Sequence, residues 1–199
     1  LDKKKMLSDP TSDYTKAGVA AMNRAKDDVI YDAMRGSART ASGTTALPSA
    51  QKVVVASAGL TKAKIIETKK LFRANEADEE NGEQLYFMYS SEAMEDVMGD
   101  TTLTSSDYMA VQMLQEGKVG RNWMGFEWVP FQRGELSTTT RYLCAWAKSG
   151  VALGMGAEIM TRLTERADKS YSLQPYACMS LGAVRIEEAK VVEVACSEA

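Results

Sequence analysis

The chain has 199 residues, a formal net charge of −3, a pI near 5.2 and no histidine, and this excludes more than it specifies. Without imidazole it lacks the commonest general base, the usual partner of a nucleophilic Ser or Cys, and most zinc-site designs. A mildly acidic balance argues against a free-standing nucleic-acid binder, which carries a basic face. No apolar run approaches the ~20 residues that cross a bilayer, and the opening LDKKKMLSDP has charge but no apolar stretch behind it, so no signal peptide is expected. The length suits one sizeable core or two small lobes sharing a seam. Cys144, Cys178 and Cys196 are odd in number and set among apolar residues, which predicts buried thiols and a reducing compartment.

The first predicted element is a long helix from Ser12 to Arg35. Asp9-Pro10-Thr11-Ser12 supplies a turn and cap, and Asp13 sits in the first turn, where the dipole favours a carboxylate. Tyr14, Ala17, Ala21, Ala25, Val29 and Ala33 recur at helical spacing, predicting a narrow, alanine-rich face laid close against a sheet. Gly36 is the expected C′ residue. Ser37–Ser49 reads as a loop or hairpin. Its Gly43 lacks phosphate-loop spacing. Lys52–Ala56 reads as a short β-branched strand.

A second helix opens at Leu60-Thr61 and runs to about Ala74, with Thr61 as cap and Leu60 stapled on Ile65. Glu76–Glu83 is an acidic run without the order of calcium ligands, hence an exposed loop. Gln84–Tyr89 reads as a buried strand, Ser90 as the cap of a helix over Glu92–Met98 stopped by Gly99, and Thr104–Asp107 as the cap of another ending at Gly117. Asn122–Phe131 and Arg141–Leu153 read as strands around the turn Gly134–Thr140, with Trp123, Phe126, Trp128 and Trp146 supplying aromatic core. Glu158–Cys196 is β-type throughout, broken by the charged turn Glu165-Arg166-Ala167-Asp168-Lys169. No repeat appears, and the order of elements predicts an α+β fold.

Several ordered motifs carry a resemblance. They are Asp9-Pro10-Thr11-Ser12-Asp13-Tyr14, Asn23-Arg24-Ala25-Lys26-Asp27-Asp28, Gly36-Ser37-Ala38-Arg39-Thr40, Gly59-Leu60-Thr61, Thr104-Ser105-Ser106-Asp107-Tyr108 and Ala145-Trp146-Ala147-Lys148. To these the C-terminal stretch adds Asp168-Lys169-Ser170-Tyr171, then Ser180, Gly182, Ala183, Arg185, Glu187 and Glu188. The set resembles a family of tailed-bacteriophage (or prophage) major capsid proteins over nearly the whole chain. The resemblance implies the Hong Kong 97-like fold, with a long spine helix, a peripheral β-rich lobe and an axial α/β lobe. Residues 1–58 would hold the spine and the first part of the peripheral lobe, 59–154 the axial lobe, and 155–199 strands returning to the peripheral lobe. Family members carry an N-terminal arm and extended loop before the spine. The sequence begins almost at that helix, so this region is expected to be cleaved, disordered or absent.

The resemblance further implies a structural protein, not an enzyme, that assembles with itself into the pentamers and hexamers of an icosahedral shell. Scaffolding, portal and decoration proteins are its implied partners, and packaged DNA would lie against the inner wall without sequence specificity. It would belong to the virion capsid, assembled in the bacterial host cytoplasm, with no cofactor, metal or membrane. A shell needs repeated contacts rather than turnover. Arg162, Glu165, Arg166, Asp168 and Lys169 are the candidate subunit-interface residues, because arginine forks pair well with carboxylates across an interface. On the charges alone, a solvated hairpin tip competes with that reading. Glu187 and Glu188 point to opposite faces of a strand and cannot share a substrate. Two alternatives remain: a nucleic-acid-binding module using Lys62, Lys64, Lys69 and Lys70, and a histidine-free α/β enzyme with perturbed acids or a buried lysine.

Overall fold

The computed structural model describes residues 10–41, 43–99 and 122–198. The helix expected over Thr104–Gly117 lies outside them. The chain divides into two compact units, one of Leu1–Ile30 with Leu153–Ala183, the other of Tyr31–Ala152 with Val184–Ala199. No helix among the described residues is long and apolar enough to cross a membrane.

The first unit holds most of helix α1 (Pro10–Arg35) and a long ribbon, β9 (Val151–Arg166) and β10 (Ser172–Arg185), which form a two-stranded sheet. Pro10 opens α1, a position where its missing N–H is no loss. Of the face expected to pack, only the Val29 and Ala33 end is half-buried. Tyr14, Ala17, Ala21 and Ala25 are exposed, while Gly18, Val19, Met22, Lys26, Val29 and Ile30 are half-buried. Alanine removes little area from water on burial, so the larger Val19, Met22 and Ile30 decide which way the helix turns. In the ribbon, a five-residue connection joins strands that pair around Asp168. Gly154 lies near Gly182, and Gly156 near Ser180. Alternation puts Leu153, Met155, Ala157, Ile159 and Leu163 on one face.

The second unit is built on a seven-stranded sheet. Its strands are β3 (Lys52–Val53), β4 (Leu85–Tyr89), β5 (Asn122–Trp123), β6 (Phe126–Pro130), β7 (Leu136–Ser137), β8 (Thr140–Ala147) and β11 (Val191–Ser197). The order is β3-β11-β8-β4-β6-β5, with β7 on β8; β11–β3 and β4–β6 are parallel and the other pairs antiparallel. Every residue of β11 from Val191 to Cys196 is buried. Such a run needs both faces covered, and a central strand packed under helix α2 (Lys62–Ala74) provides that. Most of β9 and β10 lie in the first unit and β11 in the second.

The core gathers Leu60, Ile65 and Phe72 of the α2 segment, Ala93 and Val97 of helix α3 (Ser91–Gly99), and Phe87, Phe126, Trp128, Leu143 and Val194 of the sheet. Phe87 stacks on Trp128 at 4.7 Å between centroids and meets Phe126 edge-on at 5.5 Å. Leu60 and Ile65 are both buried there as a staple requires, but Thr61 makes no side-chain cap bond; Asp96 Oδ2 instead accepts the Leu60 N–H at 2.8 Å. The expected strand Asn122–Phe131 is a hairpin, turned at Met124 and Gly125 with φ of 53° and 77°, the left-handed pair of a two-residue loop. Cys144 and Cys196 are free and buried, and burial pushes both thiols up to about 12. Cys178, expected buried, is only half so.

Charge is built into this unit. Arg35, at the end of α1, donates from Nε to the buried Glu193 at 2.7 Å, pairs with Glu135, and stacks over the Tyr142 ring at 4.3 Å. Burial works against its charge, but the two carboxylates outweigh it and raise the guanidinium's pKa. Arg185 is 2% exposed and has no carboxylate in hydrogen-bonding contact. Its Nη1 donates to the carbonyls of Met34 (2.8 Å) and Gly36 (2.7 Å), and its Nη2 to that of Thr45 (3.0 Å). It thereby ties the end of α1 to a small hairpin, β1 (Ala38–Thr40) with β2 (Gly43–Thr45). Gly36 does not take the left-handed conformation expected of a C′ glycine. A Cβ there would stand 2.7 Å from the Asp32 carbonyl, so close approach explains the glycine.

The acidic run Glu76–Glu83, read as a solvated loop, is tied down. Asp78 is buried and accepts from Arg73 Nε at 3.0 Å, Glu80 also pairs with Arg73, and Glu79 pairs with Lys69. At α3, Ser90 Oγ accepts the Ala93 N–H at 3.1 Å, as a cap should. The Ser91 hydroxyl and the Gln132 amide hold the Glu92 carboxyl down at about 2. A depressed carboxylate stabilises the fold fully above its unfolded value and loses that contribution as pH falls to its folded one. Glu92 is exposed, so we predict at most about 1 kcal/mol after solvent screening. The stability gap between wild type and Glu92→Gln, measured by urea unfolding, should be largest above about pH 5 and close towards pH 2.

Candidate assembly site

Glu165, Arg166, Asp168 and Lys169 lie at the tip of the β9–β10 ribbon, and Arg162 lies a short way before them on β9. Arg166 grips Asp168 with two bonds, Nε to Oδ1 at 2.9 Å and Nη2 to Oδ2 at 2.5 Å, and reaches Gln174 at 3.1 Å. That pairing holds the Asp168 carboxyl below its usual range. Arg166 and Asp168 therefore satisfy each other within the tip. Glu165 and Lys169 are exposed and have no ion-pair partner among the described residues. Arg162, further down β9, has no carboxylate partner there either.

The same unit also exposes apolar groups. Tyr14, Met155, Met160, Leu163, Tyr171 and Tyr176 of the same unit are all exposed. Between α1 and the ribbon, one groove runs past Lys26, Met155, Ile159, Met179 and Leu181, and a second past Tyr14, Gly18, Leu163, Pro175 and Tyr176. Isolated exposed apolar residues are ordinary; a helix and a bare ribbon presenting this many in one unit mark an interaction surface. The sequence reading missed the tyrosines. Tyr171 was within its reach, as a bulky residue following Ser170 in a turn whose φ values, 52° and 55°, suit glycine or asparagine.

Two clusters bear on other chemistries. Ser149 Oγ donates to Glu83 and accepts from Lys190 Nζ at 2.9 Å, an arrangement like a serine–lysine dyad. A lysine base must be neutral, whereas Glu187 and Glu83 raise Lys190, so it stays a charged strut. Lys64 is the buried lysine that an enzyme reading asks for, and burial does lower its pKa. Its ammonium is spent on backbone carbonyls, Ala58 at 2.6 Å and Ala195 at 2.8 Å. With Lys64 buried and Lys69 paired to Glu79, the lysine run of α2 is also no basic face for nucleic acid.

Comparison with known proteins gives the family and the fold. The model of a family described as phage capsid protein matches residues 1–198, and the chain belongs to that family, one of structural proteins rather than enzymes. No curated protein matches it. Among solved structures, the chain is similar to one from Mycobacterium phage Che8, at 17% identity and a TM-score of 0.67, covering 97% of this chain and 65% of that one. It is similar to the capsid of cyanophage P-SCSP1u, at 15% and 0.63, covering 100% and 69%. It is also similar to the capsid of an empty GTA particle, at 12% and 0.59, covering 98% and 69%. These likenesses establish the Hong Kong 97-like fold, and the chain spans about two thirds of the length of the solved chains it matches.

Proposed function

We propose that the chain is a major capsid subunit that assembles with itself into the icosahedral shell enclosing phage DNA. The observation that carries this reading is the family match over residues 1–198, joined to a unit that exposes an apolar surface and unpaired charges. Shell subunits work by many modest contacts that repeat around closed rings. In this reading the α1–ribbon unit is the peripheral lobe with the spine helix, and the seven-stranded unit is the axial lobe of pentamers and hexamers.

Arg162, Glu165 and Lys169 are the charges free for subunit contacts, while Arg166 and Asp168 shape the tip. The chain's slight negative charge gives packaged DNA an inner wall without strong adhesion. The reading places the protein in the virion capsid after assembly in the host cytoplasm, with scaffolding, portal and decoration proteins as partners. Electron microscopy of protein expressed from the intact reading frame tests it. Closed shells or five- and six-fold rings are expected, and a field of single subunits at every concentration would overturn it.

A further inference from the structure

Tyr171 stands at the ribbon tip 72% exposed, with a φ of 55°. A bulky side chain in left-handed backbone at an open position gains nothing there from its own chain that glycine would not give with less strain. Such an outlier points to a use outside the subunit. Farther down the ribbon, the groove beside α1 has a volume of ≈ 280 Å³, ample for one aromatic ring. Tyr14, Leu163 and Tyr176 line it and are themselves about half exposed, and Gly18 opens its helical wall, with nothing within 4 Å of where a Cβ would stand. Arg162 lines the same groove without a carboxylate partner among the described residues, and Glu165, beside the tip, has no cation partner among them either.

We infer that Tyr171 of each subunit seats in the α1–ribbon groove of a second copy, with Glu165 meeting that copy's Arg162; this rests on the assembly reading above. The tip cannot enter its own groove, because β9 and β10 remain strands up to Arg166 and from Ser172. Tip and groove are different surfaces, so the contact is head-to-tail, the kind from which closed rings are built. An aromatic anchor in an apolar pocket, flanked by opposite charges, has the form of an interface hot spot.

Glycine is at ease at a φ of 55°, so Tyr171→Gly removes the ring while leaving the single subunit at least as stable. The protein concentration at which particles form should rise roughly tenfold or more in Tyr171→Gly and stay near wild type in Tyr171→Phe. In wild-type-like particles carrying a photoreactive benzoyl-phenylalanine at position 171, crosslinks should join the tip to the peptide around Tyr14–Gly18 or Pro175–Ala177 of another chain. Unchanged assembly of Tyr171→Gly overturns the contact. Crosslinks elsewhere in intact particles do the same, and both results leave the assembly reading standing. A wild-type protein that never leaves the monomer overturns both.

Discussion

Arg185→Met is expected to destabilise the protein by about 3 kcal/mol, because it strands three carbonyl groups at once. Methionine keeps much of the side chain's bulk but offers no donor to Met34, Gly36 or Thr45, whose carbonyls now accept 2.7–3.0 Å bonds from the guanidinium. Burial opposes the charge and lowers the arginine's pKa, so deleting the charge returns part of the loss; three unmet acceptors at about 1–3 kcal/mol each still decide the sign. For a chain of this length the melting temperature should fall by roughly 6–12 °C. Lysine at the same position can serve some of the three acceptors and should lose less. Calorimetry on the two variants checks the order, and a methionine variant as stable as wild type would show that the end of α1 is held by packing alone.

Phe87→Ala should be costlier still, at about 3–5 kcal/mol. Phe87 is fully buried on β4, stacked on Trp128 and edge-on to Phe126, both of β6. Truncation removes the transfer energy of the ring and leaves a hole that its flat neighbours cannot close. Leucine fills part of that hole and should recover part of the loss. Urea midpoints for the two variants test this, with the slope of the transition showing whether the native core stays intact. A loss under about 1 kcal/mol for alanine would mean that the aromatic cluster rearranges to fill the space.

The seven-stranded sheet was legible where residues announce their surroundings. Leu85–Tyr89 is a run that suits a buried strand, and Ser90 sits where its hydroxyl caps α3; Val191–Cys196 was legible as a strand, but its place in this sheet was not. What escaped the sequence depended on partners far along the chain. The inward face of α1 follows from which side chains bury most area, and an alanine stripe at helical spacing concealed it. Asp78 reads as one more solvated acid until Arg73 is placed beside it. Met124 in left-handed backbone carries no signal of its own; Gly125 alone hinted at the turn.

The candidate assembly site was half legible for the same reason. The charged turn is visible as a motif, but Arg166 and Asp168 satisfy each other and drop out as free contacts. Tyr14, Tyr171 and Tyr176 carry no charge to mark them in sequence and become notable only when found exposed.

The central claim, a shell built by self-assembly, is met most directly by the native mass of the protein in solution, followed by light scattering across protein concentration and salt. A step from subunit to particles many subunits in size is expected, with a threshold that moves with salt as Glu165 and Arg162 are screened. A single mass equal to one chain of 21.8 kDa under every condition would contradict it.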